Sequence, residues 1–240
     1  MEHDEKRPAT PRRIALVDSA ACAHGARNRP SASGLLLDDF ADALIAYDRI
    51  SARALGVEGE SEPPELARLD AGGWSAAAVQ GSFDALVIGI DADRGQRDPD
   101  AVVDLLDAVA ASGGDRPPLA YAIACTDRLE ERVAETALEP LRGRLDGAGI
   151  PWGGGVVALG ARTVPDSAGQ PRMGMARRSR SEAIDHLISA VRSGRSVPEA
   201  DRLFAQAARA TGGGSPDVRE RETIVSKCPL PRALYRLLYR

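Results

Sequence analysis

The sequence predicts an α/β protein: a three-layer, doubly wound parallel sheet of five strands in the order 2-1-3-4-5, followed by a helical C-terminal extension. Two observations favour this class. Short apolar runs alternate with longer amphipathic segments over about the first 160 residues, as expected for repeated strand–helix–strand units. The apolar runs are hydrophobic at successive positions, which is typical of strands covered on both faces.

Four strands are clear in the sequence, at residues 13–18, 84–90, 119–124 and 155–159. Residues 49–55 carry a weaker pattern and are predicted as the second strand. Five parallel strands in about 150 residues, in this order, are typical of the flavodoxin-like sheet.

The helices are predicted from apolar spacing and from residues that favour helix starts. Ser33 is the candidate N-cap of the first helix, and Pro99 suits the first turn of the next. One helix is predicted over residues 128–147. The strand–helix alternation stops after residue 160: 161–175 has a loop-like composition, and helices are predicted at 181–192, 198–210 and 231–239.

These patterns divide the chain into three parts. Residues 1–11 are polar and are predicted to be a disordered tail. Residues 12–175 form the flavodoxin-like domain. Residues 176–240 form the helical extension, packed on or near the core, with a flexible glycine-rich break at 212–215.

Composition argues against several classes of protein. The three cysteines lack the paired spacing of a zinc site, and their odd number argues against a disulfide framework. No apolar run approaches the ~20 residues of a membrane span, and the polar N-terminus lacks a signal peptide. We therefore expect a cytoplasmic protein with no membrane partner.

The net charge of −4 conceals a division along the chain. Residues 1–170 contain 17 Lys and Arg against 28 Asp and Glu, whereas residues 171–240 contain 14 against 7. We expect the basic part to dock on the acidic core. Within it, Arg177, Arg178 and Arg180 either join that docking surface or grip the 2′-phosphate of NADPH. Because no aromatics are interleaved with the basic residues, no nucleic-acid partner is expected.

The loop after the first strand is a candidate anion site. Ser31, Ser33 and Gly34 immediately precede a predicted helix, whose free N–H groups attract a phosphate. Arg27 and Arg29 supply positive charge nearby. Plain helix capping is the alternative interpretation, and neither a Walker motif nor a GxGxxG fingerprint is present.

Three segments of the chain resemble the flavodoxin-family NAD(P)H-dependent FMN reductases. Residues 13–44 are similar to the family's first strand, phosphate loop and first helix, with Asp18-Ser19-Ala20 and the serine-rich run 31–37 at the matching places. Residues 84–89 are similar to the strand that leads into the flavin-ring loop. The closest match is 121–160, with its Tyr-Ala-Ile-Ala-Cys and Trp-Gly-Gly-Gly runs; the latter is expected to serve backbone packing.

The resemblance implies an oxidoreductase that passes hydride from NAD(P)H through FMN to a quinone, a flavin or a similar small-molecule electron acceptor. It also implies a homodimer. The FMN phosphate would lie at Ser19, Ser31, Ala32 and Ser33, and the ring would lie between two loops. The ring-side residues would be Asp91, Ala92, Asp93, Arg94, Cys125, Thr126 and Asp127.

The sequence departs from the family where the flavin ring would lie. Loop 91–98 contains no aromatic residue, and aromatic stacking on a base is worth ~1–3 kcal/mol. Thr126-Asp127-Arg128 replaces the family's glycine–aromatic pair. The alternative hypothesis is a degenerate flavodoxin-like protein without flavin that acts as a non-catalytic binding or interaction module. Asp91 and Asp93 are also a candidate Mg²⁺ pair, although a solvated acidic loop is the simpler interpretation.

Overall fold

The protein is built around a parallel sheet of six strands in the order β2-β1-β3-β4-β5-β6. The computed structural model describes residues 10–19, 31–56, 62–70, 83–94, 99–111, 117–211 and 221–239. The strands are β1 (Arg13–Asp18), β2 (Glu65–Asp70), β3 (Ala85–Asp91), β4 (Leu119–Thr126), β5 (Trp152–Leu159) and β6 (Thr223–Ser226). Every neighbouring pair is parallel, so all six carboxyl ends lie at one edge.

Eight α-helices occur in the described part of the chain. They are α1 (Ala32–Ala54), α2 (Pro99–Ala111), α3 (Val133–Ala137), α4 (Glu139–Gly147), α5 (Thr163–Ser167), α6 (Arg178–Ser193), α7 (Val197–Ala210) and α8 (Arg232–Leu238). None of the helices described here has the length and apolar character needed to cross a membrane.

The helices cover both faces of the sheet and form two separate cores. On one face, α1, α5, α6 and α7 pack against alternate strand residues such as Leu16, Val87 and Ile123. On the other face, α2, α3 and α4 pack against the intervening residues, such as Val17 and Ile88. This three-layer, doubly wound arrangement confirms the predicted flavodoxin-like α/β class, with six strands in place of five.

The predicted second strand is wrong. Residues 49–55 lie almost entirely in α1, which continues to Ala54 and is followed by Gly56 at φ +69°. The actual β2 pairs with β1 from Glu65 to Asp70. Its Leu66 and Leu69 are separated by Ala67 and Arg68, a weak apolar pattern that suits a strand at the edge of the sheet and is easy to miss.

Three smaller differences have local causes. Ser31, not Ser33, is the N-cap of α1, since its side chain accepts a hydrogen bond from the amide of Gly34. The single helix predicted over 128–147 is divided into α3 and α4 beside Pro140, which has no N–H to continue the helical hydrogen bonds. Residues 161–175, predicted as a loop, include the short helix α5.

The C-terminal segment contributes a strand as well as helices. β6 pairs with residues 155–158 of β5 and becomes the last strand of the sheet. It has only four residues, too few to give a periodic signal in the sequence. The predicted tail of residues 1–11 and the break at 212–215 lie mainly or wholly outside the described residues.

The Trp-Gly-Gly-Gly run brings two other elements close to β5. A Cβ on Gly153 would lie 2.6 Å from the ring of Tyr121, and one on Gly154, whose φ is +119°, would lie 2.7 Å from Val197 of α7. Tyr121 is fully buried and donates its phenolic hydrogen to the carbonyl of Arg195 at 2.7 Å. The run therefore serves backbone packing, as the sequence predicts.

Candidate functional site

All eleven residues predicted to bind FMN lie along the carboxyl edge of the sheet or at the start of α1. Ser19 follows β1, and Ser31, Ala32 and Ser33 form the N-cap and first residues of α1. The residues predicted to lie beside the flavin ring are at the ends of two neighbouring strands. Asp91 is the last residue of β3, and Ala92–Arg94 form a 3₁₀ turn after it. Cys125 and Thr126 are the last residues of β4, and Asp127 comes next. The eleven residues predicted from the sequence therefore share one edge of the fold. Loop 20–30, which carries Arg27 and Arg29, and loop 95–98 lie outside the described residues.

The N-terminus of α1 is in contact with an acidic side chain of β1. The hydroxyl of Ser31 donates to Asp18 Oδ2 at 3.1 Å and accepts from the amide of Gly34 at 2.8 Å. A Cβ added to Gly34 would lie 2.6 Å from the same Asp18 oxygen, so the carboxylate lies against the first turn of the helix. A negative charge is favourable at this position because of the helix dipole, and here the protein supplies that charge itself.

The other two serines of the predicted phosphate site have structural partners. Both the amide and the hydroxyl of Ser19 donate to the carbonyl of Gly89, at 3.1 and 2.7 Å. These bonds join the end of β1 to β3. Ser33 is fully buried, and its hydroxyl lies 3.4 Å from that of Ser31.

Asp93 joins the loop after β3 to the loop after β4. Its Oδ2 accepts a hydrogen bond from the hydroxyl of Thr126 at 2.8 Å and another from the amide of Asp127. Its Oδ1 lies 3.6 Å from Nε of Arg128. The FMN ring was predicted to lie between these two loops, and the carboxylate of Asp93 bridges them.

Asp127 joins the loop after β4 to the loop after β5 and to the C-terminal helix. Its Oδ1 accepts from the amide of Arg162 and from the phenol of Tyr235, each at 3.1 Å, while Oδ2 pairs with Nε of Arg162 at 2.9 Å. Arg162 also donates to the carbonyl of Tyr239 at 2.5 Å. As a result, α8 lies at the carboxyl edge of the sheet.

Cys125 is not available for chemistry at this edge. It is 1% exposed, and burial, followed by the nearby Asp91, raises the pKa of its thiol well above the usual range. The residue therefore stays a neutral thiol at physiological pH, whereas a nucleophile or metal ligand must be a thiolate.

The acidic side chains at this edge do not converge in the way that a metal requires. Within the described ranges, no group of three or more His, Cys, Asp or Glu side chains is arranged to hold a metal ion. Asp93, one of the two candidate Mg²⁺ ligands, forms the bonds to Thr126 and Asp127 given above.

Three residues that shape the site were not among those predicted from the sequence. Asp18 immediately precedes the predicted Ser19, and its acidic character at a strand end was a readable signal. Arg162 and Tyr235 contact Asp127 from 35 and 108 residues away in sequence. Nothing in the local sequence around either residue indicates these contacts.

No family model matches this chain, and no curated protein is similar to it. Among solved structures, it is similar to a flavodoxin of Streptococcus pneumonia TIGR4 at 13% identity and a TM-score of 0.35, over 65% of this chain and 94% of that one.

Proposed function

We propose that this protein is a flavodoxin-like binding or interaction module that does not carry FMN. The observation that carries the proposal is the contact between Asp18 and Ser31 at the first turn of α1. The predicted FMN phosphate would need the same helix N-terminus that the Asp18 carboxylate now contacts. The residues present therefore do not fit the cofactor that the family resemblance implies.

Electrostatic repulsion disfavours placing the FMN phosphate and the Asp18 carboxylate together at the N-terminus of α1. Two unit charges about 4 Å apart repel by roughly 4 kcal/mol at an effective dielectric constant of about 20. That free energy corresponds to roughly three orders of magnitude in affinity. A phosphate must overcome this repulsion or displace Asp18 from Ser31, and a bound flavin lacks an aromatic platform in loop 91–98 to compensate for it.

The contacts on the ring side support the same conclusion. A flavin ring between the loops after β3 and β4 would separate Asp93 from Thr126 and from the amide of Asp127. Thr126 is fully buried, and a buried hydroxyl that loses its hydrogen-bond partner is costly. The aspartates of this edge stabilise the fold by joining its loops, and this role competes with holding a ring.

A second candidate is the FMN-dependent NAD(P)H oxidoreductase implied by the resemblance. Its specific support is the gathering of Ser19, Ser31 and Ser33 at the start of α1, beside the carboxyl ends of β1 and β3. Ligands of open parallel sheets bind at this edge. On this hypothesis Asp18 would move away when FMN binds.

A titration of FMN with the full-length protein, followed by flavin fluorescence, separates the two candidates. The flavin-free module is expected to cause no saturable quenching and no oxidation of NADH or NADPH when FMN and a quinone are added. Riboflavin, which lacks the phosphate, is the matched ligand control. Saturable quenching by FMN together with quinone-dependent NAD(P)H oxidation would establish the oxidoreductase instead.

A further inference from the structure

A cavity of about 160 Å³ lies between α1, α5 and the beginning of α6. Asp38 and Asp39 contribute to its wall from α1, Ser167 from the end of α5, and Arg177 and Arg180 from the start of α6. None of these residues belongs to the set predicted to bind FMN. The cavity has the volume of roughly five water molecules, taking about 30 Å³ for each.

Arg180 is a buried cation in the wall of this cavity. It is 3% exposed, and its guanidinium donates to Ser167 Oγ and to the carbonyl of Gly160, each at 3.2 Å, and to Thr163 Oγ1. Its Nε is buried and has no hydrogen-bond partner among the described residues. All the acceptors it does have are neutral, and no carboxylate of the described residues pairs with it.

The carboxylates beside the cavity have other partners. Asp39 pairs with Arg177, whose Nη1 donates to the carbonyls of Ala168 and Gln170 at 2.8 and 2.7 Å. Asp38 pairs with Arg68 of β2, and both side chains are about half exposed. Within the part of the chain that the structure describes, the positive charge of Arg180 therefore has no compensating charge beside it.

A buried charge without a counter-charge is unfavourable, because the protein interior does not replace its hydration. Burial lowers the pKa of Arg180. Negative charges on Cys125, Cys228 and Tyr235 would raise that pKa again, but these side chains carry a negative charge only when they are deprotonated. Burial raises the pKa of both Cys125 and Tyr235, so these two are neutral near pH 7. Arginine keeps its proton in proteins, and the site therefore favours an anion brought from solution.

We propose that this cavity binds a small oxyanion, either a short carboxylate or inorganic phosphate, with Arg180 as its counter-charge. Arg177, on the same wall, is already paired with Asp39, so Arg180 is the guanidinium whose charge the anion would balance. Planar guanidinium groups bind carboxylate and phosphate oxygens through paired hydrogen bonds. The exposed Arg178, which pairs with Glu182 one turn along the same helix at 2.8 Å, takes no part.

The test is thermal unfolding and calorimetric titration of the full chain with sodium phosphate, acetate and malonate. Sodium chloride at matched ionic strength is the control for screening. Binding to the folded state raises the melting temperature in proportion to the logarithm of anion concentration above Kd. We expect a saturable heat of binding in the calorimetric titration, together with this logarithmic rise in melting temperature, for at least one oxyanion, and the three probes distinguish phosphate from carboxylates.

Three variants make the outcome decisive. Arg180→Gln is expected to weaken oxyanion binding by at least about tenfold, whereas Arg178→Gln on the same helix leaves it unchanged. Ala168→Leu adds bulk at the cavity wall while keeping both buried arginines, and is expected to weaken binding even if Arg180→Gln does not fold. The proposal is overturned if chloride stabilises the wild type as well as the oxyanions do, or if Ala168→Leu retains full affinity.

Discussion

Asp18 Oδ2 accepts a hydrogen bond from the hydroxyl of Ser31 at 3.1 Å, which links the end of β1 to the N-cap of α1. The same hydroxyl accepts the amide hydrogen of Gly34 at 2.8 Å. The serine therefore caps the helix while the aspartate supplies the negative charge that the helix N-terminus favours. A serine-rich strand–loop–helix connection can bind a phosphate, and here the hydroxyl at its centre bonds to a carboxylate of the protein.

Replacing Ser31 with Ala is expected to lower the free energy of unfolding by about 1 kcal/mol, the usual cost of losing an N-cap side chain. Chemical denaturation with urea measures this change. Equal or greater stability of Ser31→Ala would show that the hydroxyl does not cap α1 in solution.

The Gly153 position is expected to tolerate no side chain. Gly153→Ala places a Cβ 2.6 Å from the buried ring of Tyr121, and such overpacking typically costs about 1–3 kcal/mol. The matched control is Gly143→Ala in α4, where no atom of the described residues outside the helix's own backbone lies within 4 Å of the new Cβ. Because alanine favours helix over glycine by roughly 0.5–1 kcal/mol, the control is expected to stabilise the protein, and equal effects of the two substitutions in urea denaturation would contradict the packing described.

The four tyrosines are expected to titrate above their ordinary pKa of 10 while the protein is folded. Hydrogen bonding to Asp166, followed by burial, raises the pKa of Tyr239 to about 12. Burial is the main cause of the higher pKa values of Tyr47, Tyr121 and Tyr235. A raised pKa in the folded state means stability that is complete below pH 10 and is lost as the pH rises above it.

Tyrosinate absorbance during an alkaline titration measures this effect. The tyrosines of the folded protein are expected to ionise above pH 10, and the contacts of α8 are expected to be lost at the same time. The tyrosines of the urea-unfolded chain are expected to ionise near pH 10. Ionisation of half the tyrosines at pH 10 in the still-folded protein would contradict the contacts of Tyr235 and Tyr239 with Asp127 and Asp166.

The central strands were predictable because each is a continuous apolar run buried on both faces, as in β3 and β4. The edge strands were not: β2 has mixed composition and β6 is short, so both depend on pairing with a neighbour distant in sequence. The preference of serine for the N-cap position could not identify Ser31 as the cap of α1, because Ser33 is equally suited to cap a helix. Only the packing of α1 decides between the two serines.

The position of the candidate site could be predicted from the sequence, but the hydrogen bonds and ion pairs within it could not. In a parallel sheet the strand ends meet at one edge, so Ser19, Asp91 and Thr126 were expected there. The partners of Asp93 and Asp127 depend on loop and helix positions far along the chain, as with Tyr235. The predicted electron acceptor, NAD(P)H, homodimer and cytoplasmic location remain predictions.

The negative charge of Asp18 is proposed to exclude FMN from the N-terminus of α1, and a comparison of FMN affinity between Asp18→Asn and the wild type tests this exclusion. Asparagine keeps the size of the side chain and an oxygen for the Ser31 hydroxyl but removes the negative charge. We predict that fluorescence titration detects FMN binding by Asp18→Asn and none by the wild type, with riboflavin binding unchanged between the two. Measurable FMN binding by the wild type, with the same affinity as Asp18→Asn, would contradict this role of Asp18.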